Sequence, residues 1–195
     1  MSPAPFRVVV DACALLPVTL CDTLLRAASA DLFQIHWSEE ILEETRRNLV
    51  SKLGLSEEGA VRRCAAMRRY FREAMVTGYE PHVAAMENAP KDRHVAAAAL
   101  KAGAQVIVTS NVRDCKKLPE GIEVQTPDEF LCSLLDLDPG RMVAIVKAQA
   151  AALKRPPVTF EQVLGGLATI APAFAAAMKQ HAHREEEYIL GERSR

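Results

Sequence analysis

The stretch FRVVVDACALL, residues 6–16, constrains the fold more than any other. Val8, Val9 and Val10 form an unbroken β-branched run, the pattern of a strand buried on both faces. Asp11 closes the run, and further apolar residues follow it. A carboxylate there is costly to desolvate unless something pairs with it. The chain therefore needs a sheet covered on both sides and a partner for Asp11.

The rest of the sequence supplies the cover. Pro17 can open a helix over VTLCDTLLRAASA, and LFQIHW reads as a second short strand. Ser38 is a candidate N-cap, with Glu39 and Glu40 in the first turn of a helix ending near Gly54. Ser56, Glu57 and Glu58 start another helix, EEGAVRRCAAMRRYFREAM, predicted to end before Gly78. A loop-rich passage, YEPHVAAMENAPKD, precedes the helix RHVAAAALKAG. QVIVTS and EVQT complete the strands, and Thr126, Pro127 and Glu129 form a capping-box helix start. Strands alternating with helices predict an α/β fold with a parallel sheet, whose ligands sit at the carboxyl ends of the strands. DLDPGR marks a shift in composition near residue 139. Beyond it, two or three helices are expected as an extension, with GERSR frayed at the end.

Composition narrows the function. A formal net charge of −1 leaves no global basic field, so any nucleic-acid site must be local. Cys13, Cys21, Cys64, Cys115 and Cys132 are scattered and never in C-x-x-C spacing, which argues against zinc and a disulfide framework. The N-terminal residues lack the charged-then-apolar pattern of a signal peptide. The most apolar late segment, Val163–Met178, is interrupted by Gly165, Gly166 and Pro172 and falls short of a membrane span. A cytoplasmic protein with no membrane partner is expected.

Three further acids stand where a strand or loop meets a helix. On the helix after Ser38, at 100° per residue from Ile41, the apolar stripe centres at about 60° and Glu44 lies at about 300°. Glu40 and Glu43 lie further round, so Glu44 is the acid nearest the buried side. Asp92 precedes an alanine-rich helix and reads as an N-cap, a position compatible with holding a metal. Asp114 closes VIVTSNVRD, where Thr109, Ser110 and Asn111 also offer oxygens, and Asn111 reads as another N-cap. Taken singly, each acid has a structural reading as a cap or an ion-pair partner. Gathered at one sheet edge, each pair at ~4 Å would repel by about 4 kcal/mol at an effective dielectric of ~20. Mg²⁺ or Mn²⁺, which prefer oxygen ligands, would remove that cost.

VVVDACALL, SEEILEETRRNL, DRHVAAAAL and VIVTSNVRD, in this order, resemble the PIN domain, and more narrowly the VapC ribonuclease toxins of VapBC toxin–antitoxin pairs. The resemblance implies a PIN-like α/β/α sandwich over residues 6–135, with 139–190 as a helical C-terminal extension. It also implies a metal-dependent endoribonuclease whose four acids are Asp11, Glu44, Asp92 and Asp114. Asp11, Asp92 and Asp114 would hold Mg²⁺ or Mn²⁺, supported by Ser110 and Asn111. The implied partners are an RNA substrate, a cognate antitoxin covering the site and a possible homodimer. Two departures stand out. Cys13 occupies a place where the family often has Asn or Ser, which leaves support for Asp11 in question. Cys115 follows the fourth acid where an aromatic is common.

RNA binding needs local cations. Arg62, Arg68 and Arg69 fall in one helix, while Arg93 and Arg113 flank the acids. A solvated helix surface is the bland alternative. His94 reads as a surface or capping residue, Trp37 as core, and Tyr70 as a possible base-stacking group. The other functional classes are a catalytically silent PIN-like binding module and a metal nuclease acting on DNA.

Overall fold

The computed structural model describes residues 6–193, with side chains described through Arg184. Five strands form one sheet: β1 (Arg7–Val10), β2 (Gln34–Ser38), β3 (Met75–Val76), β4 (Val106–Val108) and β5 (Glu123–Gln125). Their order is β3-β2-β1-β4-β5, and every pairing is parallel. Val8, Val9 and Val10 are fully buried, as an unbroken apolar run on a central parallel strand requires. The order reverses direction at β1, so the crevice between β1 and β4 is the switch point where open α/β sheets hold their ligands.

Helices cover both faces. Asp11 is followed by a single turn, α1 (Ala12–Leu15), and then α2 (Val18–Ser29), with Pro17 at its N-cap position. α3 (Glu39–Ser51) begins at Ser38, whose hydroxyl accepts from the Ile41 N–H. α4 (Glu57–Tyr70) begins at Ser56 in the same way. After it come a short α5 (Glu80–Val83) and then α6 (Arg93–Ala102), which stops at Gly103 in the left-handed region with φ 63°. α7 (Pro127–Leu137) starts with the expected capping box of Thr126 and Glu129.

One element departs from the sequence reading. The helix after Ser56 ends at Tyr70 instead of running to Met75. Phe71 leaves helical geometry and packs edge-on against the buried Trp37, with ring centroids 5.8 Å apart. Met75 and Val76 then pair with Trp37 and Ser38 as the edge strand. Arg72, Glu73 and Ala74 all favour a helix in isolation, but pairing with β2 and burial of Phe71 override that preference.

Three helices follow the shift near residue 139: α8 (Pro139–Ala152), α9 (Phe160–Ala168) and α10 (Pro172–Arg193). They share one hydrophobic core with the sheet, in which Met142, Val146, Leu164, Phe174 and Met178 join Val8, Leu20 and Phe130. Polar ties fix the junction. The buried Gln149 accepts from the Thr23 hydroxyl (2.8 Å) and donates to the Thr19 carbonyl (3.0 Å). Asp128 on α7 accepts from the N–H groups of Ala173 (3.1 Å) and Phe174 (2.8 Å) at the start of α10. Of the tail expected to fray, 191–193 continue α10 and 194–195 lie outside the described residues, as do 1–5. Among the described residues, no helix is long and apolar enough to cross a membrane.

Candidate active site

Asp11 sits at the carboxyl end of β1, 5% exposed, facing the end of β4. Its Oδ1 accepts from the Ala12 N–H (2.7 Å), which caps α1. Its Oδ2 accepts from the Thr109 hydroxyl (2.7 Å) and from the Cys13 thiol (3.0 Å). Cys13 Sγ in turn accepts from the Ser110 N–H (3.1 Å), and Thr109 Oγ1 accepts from the Asn111 N–H (3.1 Å). Burial, and then the Asp11 charge, push the Cys13 thiol up to about 11, so it stays protonated and able to donate. The doubt over Cys13 is therefore resolved in favour of support: the thiol ties Asp11 to the turn after β4. Arg63 on α4 holds the far end of α1, donating to the carbonyls of Leu15 (2.8 Å) and Leu16 (3.4 Å).

The second corner of the site comes from α3, α6 and the loop after β4. Asp92 lies just before α6 with its side chain 13% exposed. It occupies the N-cap position but makes no side-chain capping bond, so the capping role fails. Asn111 likewise stands before the turn Val112–Cys115 without a capping bond from its side chain. Asp92 Oδ2 is buried without a hydrogen-bond partner. Burial raises the pKa of Asp92 above the ordinary carboxylate range, and Asp11, Asp114 and Glu44 add to the rise, while Lys91 opposes it. The charges of the three other acids thus all oppose ionisation of Asp92. The Lys91 ammonium lies among them, 2.7 Å from Asp114 and 4.0 Å from Asp92. Nothing in the sequence singled out Lys91 from the other cations near the acids, because only the fold brings its ammonium to Asp114 and Asp92.

Glu44 on α3 is 40% exposed and lies 3.8 Å from His94 Nε2. His94 Nδ1 lies 3.9 Å from Glu40. His94 is a buried residue on α6, not the surface or capping residue that the sequence suggested. Glu43 turns away and pairs with Arg46 (2.6 Å). The helical geometry read from the sequence thus separates Glu44 from Glu43, but Glu40 also borders His94.

Ser110, Asn111 and Arg113 are exposed on the turn beside Asp114. Arg93 opens α6 and donates to the Asn88 carbonyl (3.3 Å). Arg68 pairs with Glu39, with a bond of 3.0 Å from its Nε. Arg62 is exposed on α4, whereas Arg69 lies at the far end of that helix against Tyr70. The basic residues therefore do not form one continuous patch around the acids.

Among the described residues, no three His, Cys, Asp or Glu side chains converge as a ready metal cage. The donor chemistry nevertheless suits a hard divalent cation. The site offers carboxylate oxygens, one of them buried and unpartnered, and a lysine ammonium lies between two of the acids.

Fold and site together define a class: a parallel α/β sandwich with a buried, hydrogen-bonded aspartate at its switch point. The chain matches the family model of the PIN domain over residues 7–113, and it belongs to that family. A second model, the VapC50 C-terminal domain, matches residues 127–180. One curated relative is named "Putative ribonuclease VapC50", from Mycobacterium tuberculosis (strain ATCC 25618 / H37Rv). It is 38% identical over 110 residues, which is 55% of this chain and 65% of the relative. The match thus spans just under two thirds of that relative's length.

Proposed function

We propose that the chain is a divalent-metal-dependent endoribonuclease acting as the toxin of a type II toxin–antitoxin pair. The observation that carries this reading is the Asp92 carboxylate, whose Oδ2 is buried without a hydrogen-bond partner and whose charge is opposed by Asp11, Asp114 and Glu44. A relative named as a ribonuclease supports RNA as the substrate.

In this reading Asp11, Asp92 and Asp114 would hold Mg²⁺ or Mn²⁺, with Lys91 displaced outward. Such an ion, when bound, stabilises charge on a phosphodiester and eases deprotonation of water. The chain's own groups do the positioning. Thr109, Cys13 and the Ala12 N–H fix the Asp11 carboxylate. Glu44, bordered by His94, orients the attacking water for in-line displacement of the 3′-oxygen. Ser110 and Asn111 line the turn where the substrate backbone passes, and Arg93 and Arg113 offer nearby positive charge. The catalytic unit is 6–135, with 139–190 as an extension sharing its core. A cognate antitoxin, a possible homodimer and a cytoplasmic location complete the proposal.

The test is cleavage of a mixed RNA panel by the purified chain with Mn²⁺, beside Asp11→Asn and an EDTA control. Metal-dependent cleavage lost in the variant supports the reading. Cleavage of DNA alone moves the proposal to a DNA nuclease. Absence of both cleavage and Mn²⁺ binding favours the silent binding module, for which Lys91 among the acids is the supporting observation. Glu44→Ala is expected to reduce cleavage more than Glu40→Ala or Glu43→Ala. Equal losses would remove Glu44 from its role.

A further inference from the structure

The acids occupy the carboxyl end of the sheet, but a second charged recess opens at the opposite end. A cleft of about 700 Å³ lies at the amino ends of β1 and β2, between the end of α4 and the residues leading into β3. That volume is in the range of small-ligand sites. The strands separating it from the acids have four or five residues, so the two sites are ~15 Å apart.

Three arginines line this cleft: Arg7, Arg69 and Arg72. Arg7 is held in place, donating from Nη1 to the Ala102 carbonyl (2.9 Å) and from Nε to Gln34 (3.3 Å). The Arg69 guanidinium lies 5.7 Å from the centre of the Tyr70 ring. Tyr70 is 74% exposed, the most exposed of the large apolar side chains among the described residues. An aromatic face open to solvent beside a guanidinium is a stacking platform for a planar ring. On the cleft wall, His36 Nε2 is buried without a hydrogen-bond partner. Burial, and then Arg7, lower the pKa of His36, so this wall carries a neutral imidazole and the positive charge of the cleft stays with the arginines. Asp31 and Glu73 also line the cleft, offering acceptors to a group that carries donors as well as negative charge.

A planar ring, an anion and a polyhydroxylated linker between them are the parts of a nucleotide. We infer that this cleft binds one nucleotide, its base stacked on Tyr70 and its phosphate held by Arg72 with Arg69 and Arg7. The occupant is either a free mononucleotide or one unit of a single strand of RNA. In the second case the cleft is a remote anchor for the substrate, an extension that rests on the ribonuclease reading.

The experiment uses the full chain carrying Asp11→Asn, in EDTA, titrated with adenosine 5′-monophosphate and separately with a short unstructured RNA. Tyr70→Ala and Arg72→Glu are compared in that background, with Tyr70→Phe as the stacking-competent control. Both sites are exposed, so unchanged thermal unfolding is expected and would show that the variants fold. Weakening of mononucleotide binding by about tenfold in the first two variants, but not in Tyr70→Phe, supports a nucleotide site. The same loss seen with RNA alone assigns the cleft to the strand. Affinities for both ligands that stay the same across all variants overturn the inference. Binding is read without catalysis, so the cleft can fail while metal-dependent RNA cleavage stands, and the reverse.

Discussion

The two corners of the acidic site are built in opposite ways. Around Asp11, both carboxylate oxygens are used: three donors from α1 and the end of β4 hold a 5%-exposed side chain in one orientation. Around Asp92, one oxygen is buried without a hydrogen-bond partner, and the facing acids Asp114 and Glu44 raise the cost of its charge. The first corner is satisfied by the protein alone. The second has only the ammonium of the exposed Lys91, 4.0 Å from Asp92 and 2.7 Å from Asp114. The contrast teaches that preorganisation is concentrated where two central strands meet, while the loop before α6 leaves a carboxylate oxygen unsatisfied.

Four changes would break or sharpen this contrast. Asp11→Asn should have the largest effect. Loss of groups that merely support a metal ligand costs 10–100-fold, so removing this charge should reduce RNA cleavage by at least about a hundredfold. Thr109→Val comes next. It deletes the buried hydroxyl donor to Asp11 and leaves a charged oxygen short of a hydrogen bond, at a cost of about 1–3 kcal/mol. A drop in Tm of roughly 2–8 °C is expected, with weaker cleavage. An unchanged Tm would show that Cys13 and Ala12 suffice. Lys91→Met should act in the opposite sense at the other corner. Mn²⁺ affinity measured by calorimetry should change by severalfold, rising if the ammonium competes with the cation. A fall would make Lys91 part of the loaded site.

The smallest effect is expected for Asp92→Asn, measured as Tm in EDTA. Burial and the neighbouring acids raise the folded pKa of Asp92, so its protonated form is the one that stabilises the fold. That contribution is full below about pH 4, the unfolded value, and is lost as pH rises through the folded pKa. The variant should therefore gain Tm over the wild type near neutral pH and lose that advantage in acid. A constant difference across pH would mean that Asp92 ionises without strain.

Much of the frame was legible from local pattern. The Val8–Val10 run defined a central strand, serines and Thr126 marked helix starts, and helical spacing separated Glu44 from Glu43. The edge strand Met75–Val76 was not legible, because it is two residues long and follows the helix-favouring Arg72, Glu73 and Ala74, so only pairing with β2 defines it. The roles of Cys13 and His94 were misread for a related reason. Cys13 is a weak polar group in sequence terms, yet burial beside Asp11 keeps its thiol protonated and donating. His94 looks like a surface residue beside Asp92 and Arg93, but α6 packs on β1 and β2 and buries it beside Glu40 and Glu44.

The sequence by itself determined the order of the elements except the edge strand β3, and the presence of an acid at each predicted junction, because buried runs, caps and periodicity are local signals. Only the tertiary structure decided that Asp92 makes no capping bond and that Lys91 stands between it and Asp114. It also decided that the arginines divide between the two ends of the sheet, and that the C-terminal helices share the core. Those facts depend on the strand order β3-β2-β1-β4-β5, which brings residues as distant as Asp11 and Thr109 to 2.7 Å. No local propensity encodes such a pairing. It follows from burying the sheet on both faces at once.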